Sequence, residues 1–249
     1  MGDLRVEVTK SGARLPAGRL TPRIMSDVSL KDMAANAVHF GHPTSRWNPK
    51  MKPYIYGARH GIHIFDLKKT ADKLVFALEF LSRMAKDKKE VLFVGTKQQC
   101  RKFLYQIKEE TGMPIVTDKW IPGLLTNWKT IKERIDYFKQ LKDDDAHGKL
   151  SKYTKKEQNK LRKKIQDLSV SLSGVENMKG KPDVLFVTDI VRDHIAVKEA
   201  RTLGIPVVGI VDSNADPDQV DYPIPANDDA IKSLEYILGL AREAVKVNK

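Results

Sequence analysis

The sequence predicts a doubly wound α/β sandwich with a helical hairpin set into it, on three observations. Short apolar runs at 91–96, 183–189 and 206–214 do not alternate with polar residues, as strands buried on both faces require. Helical patterns separate these runs, which makes the strands parallel and puts helices on both faces of the sheet. Residues 128–178 then break the alternation with two narrow apolar seams and no strand.

The chain opens with Arg5, Lys10, Arg14, Arg19 and Arg23 against Asp3 and Glu7. Residues 1–24 lack the apolar core of a secretory signal, so a mobile basic N-terminal extension is expected, with a transit peptide as the alternative. The α/β domain is assigned to 25–127 and 179–249. Residues 39–66, HFGHPTSRWNPKMKPYIYGARHGIHIFD, stand apart from it as a basic loop, in which YIYGARHGIHIF reads as a hairpin turning around Gly57 to Gly61. VLFVGT (91–96) is a strand closed by Gly95, and Phe103, Leu104 and Ile107 share one face of the next helix. PIVTD (114–118) is a further short strand.

WIPGLLTNWKT (120–130) reads as a stiff junction. Pro122 and Gly123 set a turn, Trp120 and Trp128 wedge the base of the hairpin, and Asn127 caps the helix that begins at Trp128. Ile131, Ile135 and Phe138 then follow at helical spacing, DDDAHG (143–148) turns, and Leu161, Ile165, Leu168 and Leu172 follow in the second arm. Each arm is too short to be stable alone, so an antiparallel coiled-coil hairpin projecting from the domain is expected over 128–178. DVLFVTD (183–189), PVVGIVDSN (206–214) and the brief Ile224-Pro225 supply the remaining strands. Helices follow with Ile195, Ala196 and Ala200, and with Ile231, Leu234, Ile237, Leu238 and Ala241.

Composition narrows the function. A hydrophobic fraction of 41% over 249 residues supports a real core, and a net charge of +12 favours a polyanionic partner. The single cysteine, Cys100, excludes an internal disulfide and a Cys-based zinc site and points to a reducing compartment. Its place at a helix start would favour the thiolate, but nothing else marks it as a nucleophile. No apolar run is long enough to span a bilayer, so no membrane partner is expected.

The charge is concentrated. KLSKYTKKEQNKLRKK (149–164) carries Lys149, Lys152, Lys155, Lys156, Lys160, Arg162, Lys163 and Lys164 against Glu157 alone. Solvated helix faces usually mix signs, so this one is expected to meet phosphates, with an ordinary solvated face as the plainer reading. In the 39–66 loop, Arg46, Lys50, Lys52, Arg59 and His60 interleave with Trp47, Tyr54 and Tyr56. Cations among planar rings suit RNA, while an anchoring role for Trp47 in a local core is the other reading.

Other chemistry is sparse. Neither a GxxxxGK[ST] loop nor a GxGxxG turn occurs. Lys97 in VGTKQQ stands at a helix start, where an anion can be held. His39, His42, His60 and His63 show two HxxH spacings, but that spacing in a loop or strand does not put both rings on one side, and no metal site is assigned. Asp189, Asp193 and Asp212 fall at strand carboxyl ends, where α/β sites sit; helix capping is preferred over Mg²⁺ binding or acid-base chemistry. No catalytic set and no cofactor is assigned.

Taken together, HFGHPTSRWNPKMKPYIYGARHGIHIFDL, VLFVGTK, LLTNWKTI, PDVLFVTD and EARTLGIPVVGIVDSNADPDQVDYPIPANDDA resemble, in order and spacing, the bacterial-type ribosomal protein S2 family from about Met25 to the C-terminus. The resemblance implies a flavodoxin-like (Rossmann-like) domain with a protruding coiled coil and no enzymatic activity. It implies a structural constituent of the cytoplasmic small ribosomal subunit, present as a monomer among neighbouring small-subunit proteins. It implies late binding to 16S rRNA near the head–body junction on the solvent side, and a role in docking the large mRNA-binding protein built of OB-fold repeats. With the charge pattern, the expected rRNA-binding residues are Arg46, Trp47, Lys50, Lys52, Tyr54, Arg59, His60, Lys97, Lys129, Lys149, Lys152, Lys155, Lys156, Lys160, Arg162, Lys163 and Lys164. Two departures stand out: Pro122 replaces an expected glycine, and residues 1–24 lie upstream of the family's usual start. The competing readings are an enzyme of this fold acting on a phosphorylated small molecule held by Lys97, and a protein-binding scaffold whose hairpin docks a partner helix.

Overall fold

The computed structural model describes residues 28–246, so the expected extension 1–24 lies outside the described residues. A short helix, α1 (Leu30–Ala35), precedes three strands, β1 (Phe40–Pro43), β2 (Ile55–Arg59) and β3 (Ile62–Phe65). These form a small antiparallel sheet in the order β1-β3-β2. The β2–β3 turn is narrower than the sequence suggests. Only His60 (φ 51°) and Gly61 (φ 75°) make it, both left-handed, as a tight two-residue hairpin requires. Strand β1 was not expected, because FGHP has little β-propensity; it is held where Gly41 lies close against the far sheet, and a Cβ there would come 2.9 Å from Ser213 Oγ.

Helix α2 (Leu67–Lys86) leads into the large sheet. Strand β4 (Val91–Val94), helix α3 (Gln98–Thr111) and strand β5 (Ile115–Val116) come first. After helices α4 (Trp128–Ala146) and α5 (Lys155–Leu172) come β6 (Val184–Val187), α6 (His194–Thr202), β7 (Val207–Val211), β8 (Tyr222–Pro225) and α7 (Ile231–Val245). The five strands are parallel, in the order β5-β4-β6-β7-β8. Counting from β4, that is the doubly wound order in which the chain reverses direction beside its first strand. Every residue of β4, β6 and β7 is buried, which explains why these runs are unbroken and apolar.

Successive side chains of a strand go to opposite faces, and each face has its own core. Val91, Phe93, Val184, Phe186, Val208 and Ile210 meet α2, α3 and α7 on one side. Leu92, Val94, Leu185 and Val187 meet α4, α6 and the junction before α4 on the other. At the β8 edge, Ala226 N donates to Val211 O, while Pro223 and Pro225 occupy alternate positions along the strand.

The two central helices depart from expectation in one respect. Ile131, Ile135, Phe138 and Leu172 are buried in the same cluster as strand residues Leu92 and Val94, so this apolar seam is continuous with the core on that face of the sheet. Leu161, Ile165 and Leu168 are half-buried. The arms meet through Arg162 and Asp145 at 3.2 Å and through Lys164 over the Tyr137 ring. Thr154 and Glu157 form a capping box that starts α5. Beyond α5 the chain crosses the β5 edge, where Ile115 N donates to Gly174 O.

The junction WIPGLLTNWKT is pinned from across the fold. Glu199 on α6 accepts bonds from Trp120 Nε1 (3.0 Å), the amides of Gly123, Leu125 and Thr126, and the Thr126 hydroxyl. Burial alone would raise its pKa, but the Trp120 bond and the backbone donors outweigh burial and lower it. Trp120 is buried as the wedge reading requires, and Trp128 is half-buried. Asn127 does take the N-cap position of α4, but its side chain makes no capping bond. Cys100 is buried among Gly95, Lys97 and Thr188, and burial pushes its thiol pKa up, which removes the nucleophile reading.

Two substitutions test this packing. Glu199→Ala leaves buried donors unpaired and is expected to cost at least about 2 kcal/mol in urea unfolding. A Cβ at Gly174 would sit 2.0 Å from Ile115 O, so Gly174→Ala must push the β5 edge away and is expected to cost about 1–3 kcal/mol. Unchanged midpoints for either variant would show that the junction or the edge is not under this constraint.

Candidate nucleic-acid interface

The small sheet and its 3₁₀ turns hold seven of the seventeen expected contact residues, and their short elements and prolines keep most of these at the surface. Arg46 ends a 3₁₀ turn (Thr44–Arg46) and is exposed; Lys52 lies exposed in a second turn (Pro49–Tyr54). Trp47 is 37% exposed and its ring tilts against His63 at 5.1 Å, so it anchors the loop and still shows one side to solvent. Tyr54 is half-buried and burial raises its phenol pKa. Arg59 and His60 stand exposed at the β2–β3 turn. Tyr56, left out of the expected set, is 82% exposed and offers the freest ring of this sheet. Strand alternation accounts for this: Ile55 and Gly57 are half-buried on one side of β2, and Tyr56 between them faces the other.

Lys50 differs from its neighbours. Its amine lies 2.9 Å from both Asp216 and Asp218, which raises its pKa and ties up its charge. The loop is fixed to the large sheet nearby: Asn48 N donates to Ser213 O, and His42 N donates to Ser213 Oγ and Asp212 Oδ1.

The β4 carboxyl end corrects the sequence reading of Lys97. The side chain is only 11% exposed, and its amine sits 2.9 Å from Asp189, 2.8 Å from Asp228 and 2.6 Å from Asp229. Burial, which alone would lower its pKa, is outweighed by these carboxylates, and the pKa rises. An amine so enclosed has no face left for an RNA phosphate or for a phosphorylated substrate. Lys97 is therefore withdrawn from the interface.

The neighbouring acids behave as structural groups. Asp189 accepts from the Val191 and Arg192 amides, as a turn cap does, and Asp193 accepts from the Thr96 amide and hydroxyl. The two HxxH pairs do not assemble. Among the described residues, the one grouping with ligand spacing is His42, Asp212 and Asp228, and there the Lys97 ammonium already serves as the cation on Asp228.

In the helical arms, Lys129 is exposed in the first turn of α4. Lys149 pairs with Asp143 and Asp144, and Arg162 with Asp145. Lys152, Lys155, Lys156, Lys160, Lys163 and Lys164 are exposed and, among the described residues, lie beside no carboxylate within ion-pair distance. Residues 143–146, expected as a turn, instead complete α4, and Asp143, Asp144 and Asp145 at its end neutralise two of the expected cations and leave the rest free. The Glu199 clamp and Gly174 were also not anticipated; their partners are far off in sequence, and no local signal marks them.

Comparison with known proteins gives a consistent result. Residues 33–247 match the family described as Ribosomal protein S2. A protein of Idiomarina loihiensis called small ribosomal subunit protein uS2 is 46% identical over 222 residues, covering 89% of this chain and 92% of that protein. Proteins with the same name from Nitratiruptor sp. and Fusobacterium nucleatum are also 46% identical, covering 88% and 89% of this chain and 82% and 90% of theirs.

The carboxylate cluster generates a pH prediction. Burial, reinforced by the charges of Asp212 and Asp189, pushes Asp228 up to about 7 even with Lys97 beside it. The folded chain then holds an extra proton between the unfolded value, about 3.9, and the folded one, so stability falls as pH rises through that window. His42 acts in the same direction. Its pKa is raised, chiefly by the Asp212 hydrogen bond, so its contribution is full below about 6.5 and is lost as pH rises through the folded value. Asp228→Asn is therefore expected to gain stability relative to the parent chain as pH rises from about 4 to about 7 in thermal melts. A constant difference across that range would place the proton elsewhere.

Proposed function

The chain belongs to the ribosomal protein S2 family, and on that premise we propose that it binds 16S rRNA within the small ribosomal subunit through the outer face of its small sheet and its helical arms. It is a structural, non-catalytic constituent of the cytoplasmic ribosome. The observation that carries the rRNA reading is the sorting of its cations. Lys50, Lys97, Lys149 and Arg162 are answered by carboxylates, whereas Arg46, Lys52, Arg59 and the α5 lysines remain exposed and unanswered. Uncompensated exposed charge repels itself, and a phosphate backbone relieves that repulsion.

The α4–α5 pair acts as the protruding coiled-coil hairpin, a lever of fixed direction on residues 128–178, with 25–127 and 179–249 as the body. The chain sits as a monomer among neighbouring small-subunit proteins. It also helps to dock the OB-repeat mRNA-binding protein. An apolar cleft of about 500 Å³ between α1 and the small sheet supports that role. Leu30, Ala34, Tyr56 and Ile64 line it, and nothing among the described residues covers it. The enzyme reading has no support: its anion site required Lys97 free.

Replacing Arg46, Lys52 and Arg59 by Ala tests the interface; Lys50 is left in place because its charge is committed. These exposed changes should each move stability by no more than about 0.5 kcal/mol. The variant is expected to be depleted from small subunits in a sedimentation gradient while melting like the parent. Normal incorporation would remove the small sheet from the rRNA contact.

A further inference from the structure

One cleft of this basic chain does not suit RNA. It lies between α3 and α7, has a volume of about 210 Å³, and is lined by Phe103, Gln106, Glu235, Leu238, Gly239 and Arg242. Arg242 is answered by Glu110 and Glu243. Glu235 is exposed and, among the described residues, has no cation within ion-pair distance. The unanswered charge in the lining is therefore negative, and it would repel a phosphate.

Two features of the cleft find no reason among the described residues. Arg242 gives its terminal nitrogens to Glu110 and Glu243, but its buried Nε–H has no acceptor. Buried donors are nearly always paired. Gly239 stands in the middle of α7, where glycine weakens a helix. Yet a Cβ there would meet nothing within 4 Å, so its neighbours do not demand a glycine. What the glycine does is lower the rim of the cleft, so that another backbone can lie against the helix.

The start of the described chain lies beside this rim. Val28 packs against the core, and Ser29 N donates to the Tyr236 hydroxyl at 3.3 Å. From Tyr236 to Arg242 is about 9 Å along α7 at the usual rise per residue. Residues 14–24, RLPAGRLTPRI, carry Arg14, Arg19 and Arg23 and no acid, interleaved with Leu15, Leu20 and Ile24. Five extended residues span roughly 15 Å, which brings residues 19–24 within reach of the cleft. We propose that this stretch of the chain's own N-terminal extension docks between α3 and α7. It crosses α7 over Gly239, sets an apolar side chain against Phe103 and Leu238, offers a backbone carbonyl to Arg242 Nε, and brings an arginine to Glu235. The tether makes the binding intramolecular, so modest contacts suffice to fill the cleft. This proposal goes beyond the rRNA reading and does not rest on it.

Limited trypsin digestion of the full chain tests it, because cutting follows the population of locally released backbone. Cutting at Arg5 is the internal reference for cutting at Arg19 and Arg23. In the parent chain the latter two sites are expected to be cut at least about tenfold more slowly than Arg5, whatever the protein concentration. Glu235→Lys reverses the charge in the cleft and Gly239→Phe fills it. Each should remove most of that protection while the chain still melts cooperatively; if Gly239→Phe does not fold, the exposed change Glu235→Lys decides. Equal cutting at all three sites in the parent overturns the proposal, and so does protection that the variants retain. Protection that grows with protein concentration overturns it in favour of a second copy in the cleft. Protection that appears only when RNA is added overturns it in favour of an RNA-binding extension.

Discussion

The fold closes around one ammonium group. Lys97 leaves the end of β4 and meets carboxylates from the ends of β6 and from the loop after β8, and Asp228 in turn lies beside Asp212 at the end of β7. The carboxylates of the three loops after β6, β7 and β8 would otherwise repel one another. His42 extends the same cluster into the small sheet through Asp212 and Asp229. The surface that carries Arg46, Trp47 and Arg59 is thus held to the large sheet by the charge that fills its crevice. In many proteins of this architecture that crevice receives a ligand; here a lysine from the chain itself occupies the place.

This arrangement also explains how a chain of net charge +12 can present a patterned surface. Acids at the strand ends, at Asp216 and Asp218, and at Asp143 to Asp145 each neutralise particular lysines or arginines. The remaining cations are defined by subtraction. A charge count over the sequence assigns equal weight to Lys97 and Lys160, although one is enclosed and the other is fully available.

That difference marks what the sequence could and could not tell. Strands β4, β6 and β7 were legible because burial on both faces leaves no polar residue in the run. The β2–β3 hairpin was legible because a two-residue left-handed turn favours glycine, here Gly61. The partners of Lys97 and Trp120 were not legible: Asp228 lies 131 residues from Lys97, and Glu199 lies 79 residues from Trp120. A lysine after a strand and glycine has one local meaning, an anion site, and only the fold shows that the anions are its own carboxylates. Strand β1 was missed for a similar reason, since contact with Ser213 and pairing to β3 make a strand of FGHP.

The two edges of the large sheet have a further consequence. On β8 the amides that point inward, such as Ala226 N, serve β7, and the alternate positions hold Pro223 and Pro225, which have no N–H to offer. On the opposite side, the backbone of Gly174 already occupies β5. An open strand edge invites edge-to-edge self-association; in the large sheet Pro223 and Pro225 restrict this at one margin and the backbone of Gly174 at the other.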